Sequence, residues 1–110
     1  MELQMLPNKK FAFSCLELLK AKHIPLHRIQ DLTDREYCKI HFNTGKPILK
    51  QISGPIPGEE DIYDQTGRQR FYRDVWTCYG NYYLVTNYWY GPNTNVADNR
   101  TPFLNWVMAR

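Results

Sequence analysis

The chain has 110 residues, 43% hydrophobic and 23% charged, with 14 Lys+Arg against 11 Asp+Glu and a formal net charge of +3. That length builds one domain and not two, and the composition belongs to a folded protein, not a disordered tail. No apolar run approaches the roughly 18 residues of a membrane helix, and the N-terminal MELQMLPNKK lacks the apolar stretch of a secretory signal. Cys15, Cys38 and Cys78 are odd in number and widely spaced, which points to reduced thiols in the cytoplasm and not to a disulfide framework.

In chain order, Asn8 is expected to cap a first helix over residues 9–22, with Phe11, Cys15, Leu18, Leu19 and Lys22 along one stripe. Ile24-Pro25 ends it, because the residue before proline avoids the helical region. Residues 26–32 read as a short helical stretch with Leu26, Ile29 and Leu32 inward. Residues 33–42 carry two signals. Thr33-Asp34-Arg35-Glu36 has the form of a capping box and would start a helix. Against it, residues 37–42 alternate, with Cys38, Ile40 and Phe42 on one face and Tyr37, Lys39 and His41 on the other. The alternation favours a strand, turning at Asn43-Thr44-Gly45 and returning over residues 46–52 as an edge strand, since Pro47 has no N–H.

Residues 54–58 form a Gly/Pro connector and residues 59–70 a polar loop. Residues 71–79 and 82–90 are rich in β-formers and flank Gly80-Asn81, so a β-hairpin is predicted, with Trp76 opposite Val85, Asp74 opposite Asn87 and Tyr72 opposite Trp89. Neither face is plainly polar, so the hairpin is expected to pack on both sides or to expose rings at one end. An asparagine-bearing loop follows, and Thr101-Pro102 marks the start of a last helix with Phe103, Leu104, Val107 and Met108 inward. The predicted architecture is α+β: N-terminal helices, antiparallel β-hairpins and a C-terminal helix in a single domain over residues 1–110.

The residues that could carry chemistry are sparse. Cys38 and His41 have C-x-x-H spacing, but no second pair follows, and on a strand they point to opposite faces. His23 and His27 lie at i, i+4 with Pro25 between them. Cys15 and Cys78 have no flanking histidine. Glu59, Glu60, Asp61 and Asp64 would be the metal-binding carboxylates of a nuclease, but they sit in a loop followed by Arg68 and Arg70. No glycine-rich phosphate loop is present. Nothing marks an enzyme, and no cofactor or metal site is expected.

Charge and aromatic residues are distributed unevenly. All seven lysines lie in residues 1–50, whose balance is +4, whereas residues 51–110 have a balance of −1. Nine of the sixteen aromatic residues fall within residues 71–90. Cations neutralise phosphates and rings stack on bases, so the chain is read as a small DNA-binding protein. Arg28, Arg35, Lys39, Lys46, Lys50 and Arg100 are the expected phosphate contacts. Asn87 is the expected reader of a base edge, with Asn93, Asn95 and Asn99 near it.

The segment Tyr82-Tyr83-Leu84-Val85-Thr86-Asn87 and, more weakly, Lys39-Ile40-His41-Phe42 resemble segments of the C-terminal DNA-binding domain of the replication sequestration protein SeqA. The order of helix, basic alternating strand, Thr-Asn strand end, asparagine loop and closing helix is similar as well. The resemblance implies a bacterial or phage protein that reads duplex DNA in the major groove, with Asn87 at a base edge and Lys39 at a phosphate or base. The chain departs from that pattern at Trp89, where the family has a second asparagine, and over residues 51–70, which read as an insertion.

The alternative is a protein-interaction module, a phage or mobile-element inhibitor docking on a host protein through Tyr79, Tyr82, Tyr88, Trp89 and Tyr90, since such rings are enriched at interface hot spots. No membrane partner is expected, and a homodimer is compatible with either reading.

Overall fold

A computed structural model describes residues 2–92 and 94–110, and it assembles the chain around one three-stranded antiparallel sheet. A 3-10 turn at Leu3–Met5 precedes α1 (Asn8–Ala21), α2 (Leu26–Asp31), α3 (Arg35–Phe42), β1 (Leu49–Ile52), the single-turn α4 (Glu59–Ile62), β2 (Phe71–Cys78), β3 (Asn81–Thr86) and α5 (Arg100–Met108). The α+β class and the single domain are as the sequence predicts.

Alternating faces of the sheet build two cores. Leu49, Trp76, Cys78, Tyr83 and Val85 join Phe11, Ala12, Cys15, Leu16 and Leu19 of α1, Cys38 and Phe42 of α3, and Phe103, Trp106 and Val107 of α5. On the other face Phe71 and Leu84 pack with Ile62, and Ile52, Tyr63 and Val75 flank them. The hairpin is thus covered on both sides, which is why neither of its faces reads as polar.

Residues 37–42 are helical, contrary to the strand favoured by their alternation. Asp34, not Thr33, is the cap: its Oδ1 accepts the backbone N–H of Glu36 at 2.9 Å and of Tyr37 at 3.2 Å. Asn43, at φ 56°, ends the helix in the left-handed region that asparagine tolerates. The helix places Cys38 and Phe42 inward at i, i+4, and Ile40, expected inside, stands 73% exposed. The first predicted hairpin therefore does not exist. Its return strand does, shortened from the predicted 46–52 to β1, and it lies at the sheet edge as expected, paired with β3 in the order β1-β3-β2, although Pro47 falls outside it.

The second hairpin is real, but its turn is Tyr79-Gly80, both at positive φ as a type I′ turn demands. Trp76 consequently faces Tyr83 and not Val85. The change moves every partner by two residues, so each side chain keeps its predicted face. A bulge between Phe71 and Val75 and the end of β3 at Thr86 remove the pairs predicted for Asp74 with Asn87 and for Tyr72 with Trp89.

Two helix starts also differ. Asn8 begins α1, and its side chain accepts from Arg100 Nη1 at 2.9 Å and donates to the Trp89 carbonyl at 3.1 Å. Helix α5 begins at Arg100, ahead of Thr101-Pro102, with Asp98 accepting the Thr101 N–H at 3.0 Å. Helix α1 ends at Ala21 through paired bonds, His23 N–H to the Lys20 carbonyl and Ile24 N–H to the Leu19 carbonyl, with His23 at φ 54°. No helix among the described residues is long and apolar enough to cross a membrane.

Candidate functional site

The exposed flank of α2 and α3 gathers most of the predicted phosphate contacts. A three-residue turn, Leu32-Thr33-Asp34, joins the two helices, and the Leu49 N–H bonds to the Leu32 carbonyl at 2.9 Å, tying the turn to the sheet edge. On α3, Arg35, Glu36, Lys39, Ile40 and His41 are exposed. Tyr37 stacks on His41 with centroids 4.0 Å apart, and its hydroxyl accepts the Trp106 indole N–H at 2.9 Å. The helix is therefore anchored by its inner face and by Tyr37, while its outer face is left to solvent. Arg35 donates Nε–H to the Gly45 carbonyl at 3.0 Å, which orients the guanidinium and leaves its other four N–H groups. Lys46 follows on the loop after α3, half-buried beside Thr44. No carboxylate lies within ion-pairing distance of Arg35, Lys39 or Lys46 among the described residues. Arg28 lies on α2 with Nη1 3.5 Å from Asp31 Oδ2.

Three predicted contacts are elsewhere. Lys50 lies on the opposite sheet face, over the Phe71 ring and 3.7 Å from Asp61 Oδ1. Arg100 is buried, 8% exposed, and cannot meet a phosphate. Its guanidinium donates to Gln4 Oε1, the Gln4 carbonyl, Asn8 Oδ1 and the Leu6 carbonyl at 2.8 to 3.3 Å and stacks over Phe11 at 4.2 Å. Asn87 donates its amide to the Gln69 carbonyl at 3.1 Å, so it braces the segment leading into β2, the strand across β3 from β1. Asn99 is buried, bonded to the Tyr88 carbonyl and the Tyr90 N–H. Asn95 is exposed, and Asn93 lies outside the described residues.

The rings proposed for a protein interface are mostly structural. Trp89 is buried, donating to the Thr86 carbonyl at 2.7 Å and packing edge-on to Phe11. Tyr88 and Tyr90 pack on each other at 4.8 Å, and Tyr82 is half-buried. Tyr79 alone of the five is more than half exposed, and its hydroxyl donates to the Ile24 carbonyl.

The three thiols and three of the four loop carboxylates are suppressed or occupied. Burial pushes the Cys15 thiol up to about 12 and the Cys38 thiol up to about 11, and it raises Cys78 as well, so none is a ready thiolate. Asp64 accepts from the Thr66 hydroxyl, the Arg70 Nε–H and the Thr66 and Arg68 backbone N–H groups, which hold its carboxyl well below the usual range. Glu59 pairs with Arg73, and Asp61 accepts the Gly58 N–H that starts α4. No group of three or more His, Cys, Asp and Glu positioned to hold a metal occurs among the described residues.

The signal that distinguishes usable cations from committed ones, a carboxylate or carbonyl within reach, is tertiary and is invisible in the order of residues. Comparison with known protein families, with curated proteins and with solved structures finds no match to this chain.

Proposed function

We propose that this protein binds duplex DNA, with the exposed face of α3 directed to the major groove and the flanking cations on the phosphates. The observation that carries the reading is the set of exposed Arg35 and Lys39 on α3 and half-buried Lys46 on the loop after it, without a carboxylate partner among the described residues. A cation without an internal partner gives up no ion pair when it meets a phosphate, and it displaces condensed counterions on doing so. The order short helix, three-residue turn, capped helix is that of a helix-turn-helix, whose second helix enters the groove. Ile40 supplies an apolar contact suited to a thymine methyl, flanked by Glu36 and Lys39. Three unpaired, buried thiols fit a reducing compartment such as the cytoplasm.

The test is fluorescence anisotropy on duplex DNA, single-stranded DNA and RNA at low and physiological salt, with Lys39→Ala beside the native chain. Duplex binding should weaken steeply with salt, and Lys39→Ala should lower affinity and reduce the salt slope by about one. Equal binding by the variant at both salts would remove α3 from the interface. Absence of binding at low salt would reject DNA as the ligand. GATC duplexes in three methylation states would test the likeness to the SeqA domain. The alternative, docking on a protein through the hairpin, keeps only Tyr79 as a well-exposed ring, so it is the weaker reading.

A further inference from the structure

Where α1 turns into α2, five basic side chains, Lys22, His23, His27, Arg28 and Arg110, line one groove of about 360 Å³, with Ile24 and Pro25 as its apolar wall. Among the described residues no carboxylate side chain lines it. Several of the five are held in place from outside. Lys22 Nζ donates to the Val107 carbonyl at 3.1 Å, using one of its three protons. The Arg110 guanidinium lies over the Trp106 ring at 4.5 Å. Arg28 has a single long contact, 3.5 Å to Asp31 Oδ2, which leaves most of its fork available. His23 occupies the left-handed position closing α1, where glycine carries no steric cost and a histidine does.

We propose that this groove binds a phosphate monoester. A concave cluster of donors from Arg, Lys and His, with no acidic side chain among the described residues lining it, selects an anion, and a monoester near neutrality carries a charge of about −1.5 to −2 on three acceptor oxygens. The volume lies at the low end of the ~300–1,000 Å³ range of small-molecule sites. It therefore has room for an organic group against Ile24 and Pro25 beside the phosphate. The site uses the corner of α1 and α2, not the outer face of α3, and shares only Arg28 with the cations assigned to duplex DNA, so His27→Gln tests it apart from duplex binding.

The experiment is an amide chemical-shift titration of the full chain with adenosine 5′-monophosphate, ribose 5-phosphate and adenosine. Both monoesters should shift the amides of residues 22–24 and 26–28, and adenosine should not. Replacing two donors that do not hold the fold, His27→Gln with Arg28→Gln, should weaken the monoesters by at least about tenfold. Arg68→Gln, an exposed arginine on the loop before β2, should leave binding unchanged. Should the double variant lose its fold, His27→Gln alone, at an exposed position, carries the same comparison. No shift at residues 22–28, equal weakening by Arg68→Gln, or adenosine binding as well as its monophosphate would each overturn the proposal. Competition by 5′-phosphorylated against 5′-hydroxyl single strands then identifies the source. If only the phosphorylated strand competes, the groove takes a strand end; if neither does while the nucleotide binds, it takes a free monoester.

Discussion

Arg100 and Lys39 are both cations in a chain with a modest excess of them, and sequence reasoning assigns both to phosphate. The structure separates them. Arg100 lies between the 3-10 turn, α1 and α5, its charge spread over two backbone carbonyls, two side-chain amides and the Phe11 face. Lys39 stands on the outer face of α3 with no ion pair among the described residues. The first closes the fold by joining residues 4–8 to residue 100, and the second is free to meet something outside. Burial costs a cation its hydration, which lowers the affinity of Arg100 for its proton, and the fixed acceptors around its guanidinium take the place of that water. A net charge of +3 therefore overstates what is offered to a polyanion in some places and understates it in others.

The largest expected effect comes from breaking the inner member. Arg100→Met keeps much of the stem packing but abandons the Gln4 and Leu6 carbonyls, and it should destabilise by roughly 2–4 kcal/mol in chemical denaturation. A loss under about 0.5 kcal/mol would mean that the latch contributes little. Lys39→Ala, by contrast, should leave stability within about 0.5 kcal/mol, so that any change in anisotropy reports on the surface alone.

The acidic loop offers a middle case, where a carboxylate is occupied without being buried. Asp64 is held below the ordinary range first by the Thr66 hydroxyl and then by Arg70. A depressed native value means that its contribution is fully present above the unfolded value of about 3.9 and is lost as pH falls below it toward the native value. The carboxyl resonance of Asp64 should therefore titrate below that of a free aspartate, and Asp64→Asn should lower stability at neutral pH but not under strong acid. A midpoint at the ordinary value would show that the four donors do not act on it in solution.

The smallest expected signal concerns the rings. Trp76, Trp89 and Trp106 are 3%, 3% and 7% exposed, so acrylamide should quench native tryptophan emission only weakly. Strong quenching would return weight to an interface built from the hairpin.

Two stretches read as strand, residues 37–42 from their alternation and residues 81–86 from their β-formers, show where sequence reading stops. Over six residues a period of 2 and a period of 3.6 both place two apolar side chains together, as Cys38 and Phe42 demonstrate by meeting at i, i+4. The choice at 37–42 agrees with Asp34, which satisfies two orphan N–H groups, and with the core position taken by Phe42 between Phe103 and Trp106. At 81–86 the glycine turn and the two neighbouring strands agree with the β-formers. The candidate site was legible in part: Arg28, Arg35, Lys39 and Lys46 were named from the sequence, although on a strand for Lys39. His23, His27, Lys22 and Arg110 were not grouped, because residue 110 reaches that corner only when α5 packs back beside α1.

The sequence alone determined the class, the hairpin with its two apolar faces and the break between the first two helices. These follow from local rules, namely side-chain period, proline chemistry and turn residues, which act over a few neighbours. Tertiary structure decided the helix at 35–42, the one-residue shift of the hairpin turn and the fate of each charge. Whether a cation is latched, paired or open depends on acceptors brought from distant parts of the chain, up to 96 residues away for Arg100 and Gln4. That distance in sequence carries no local signal.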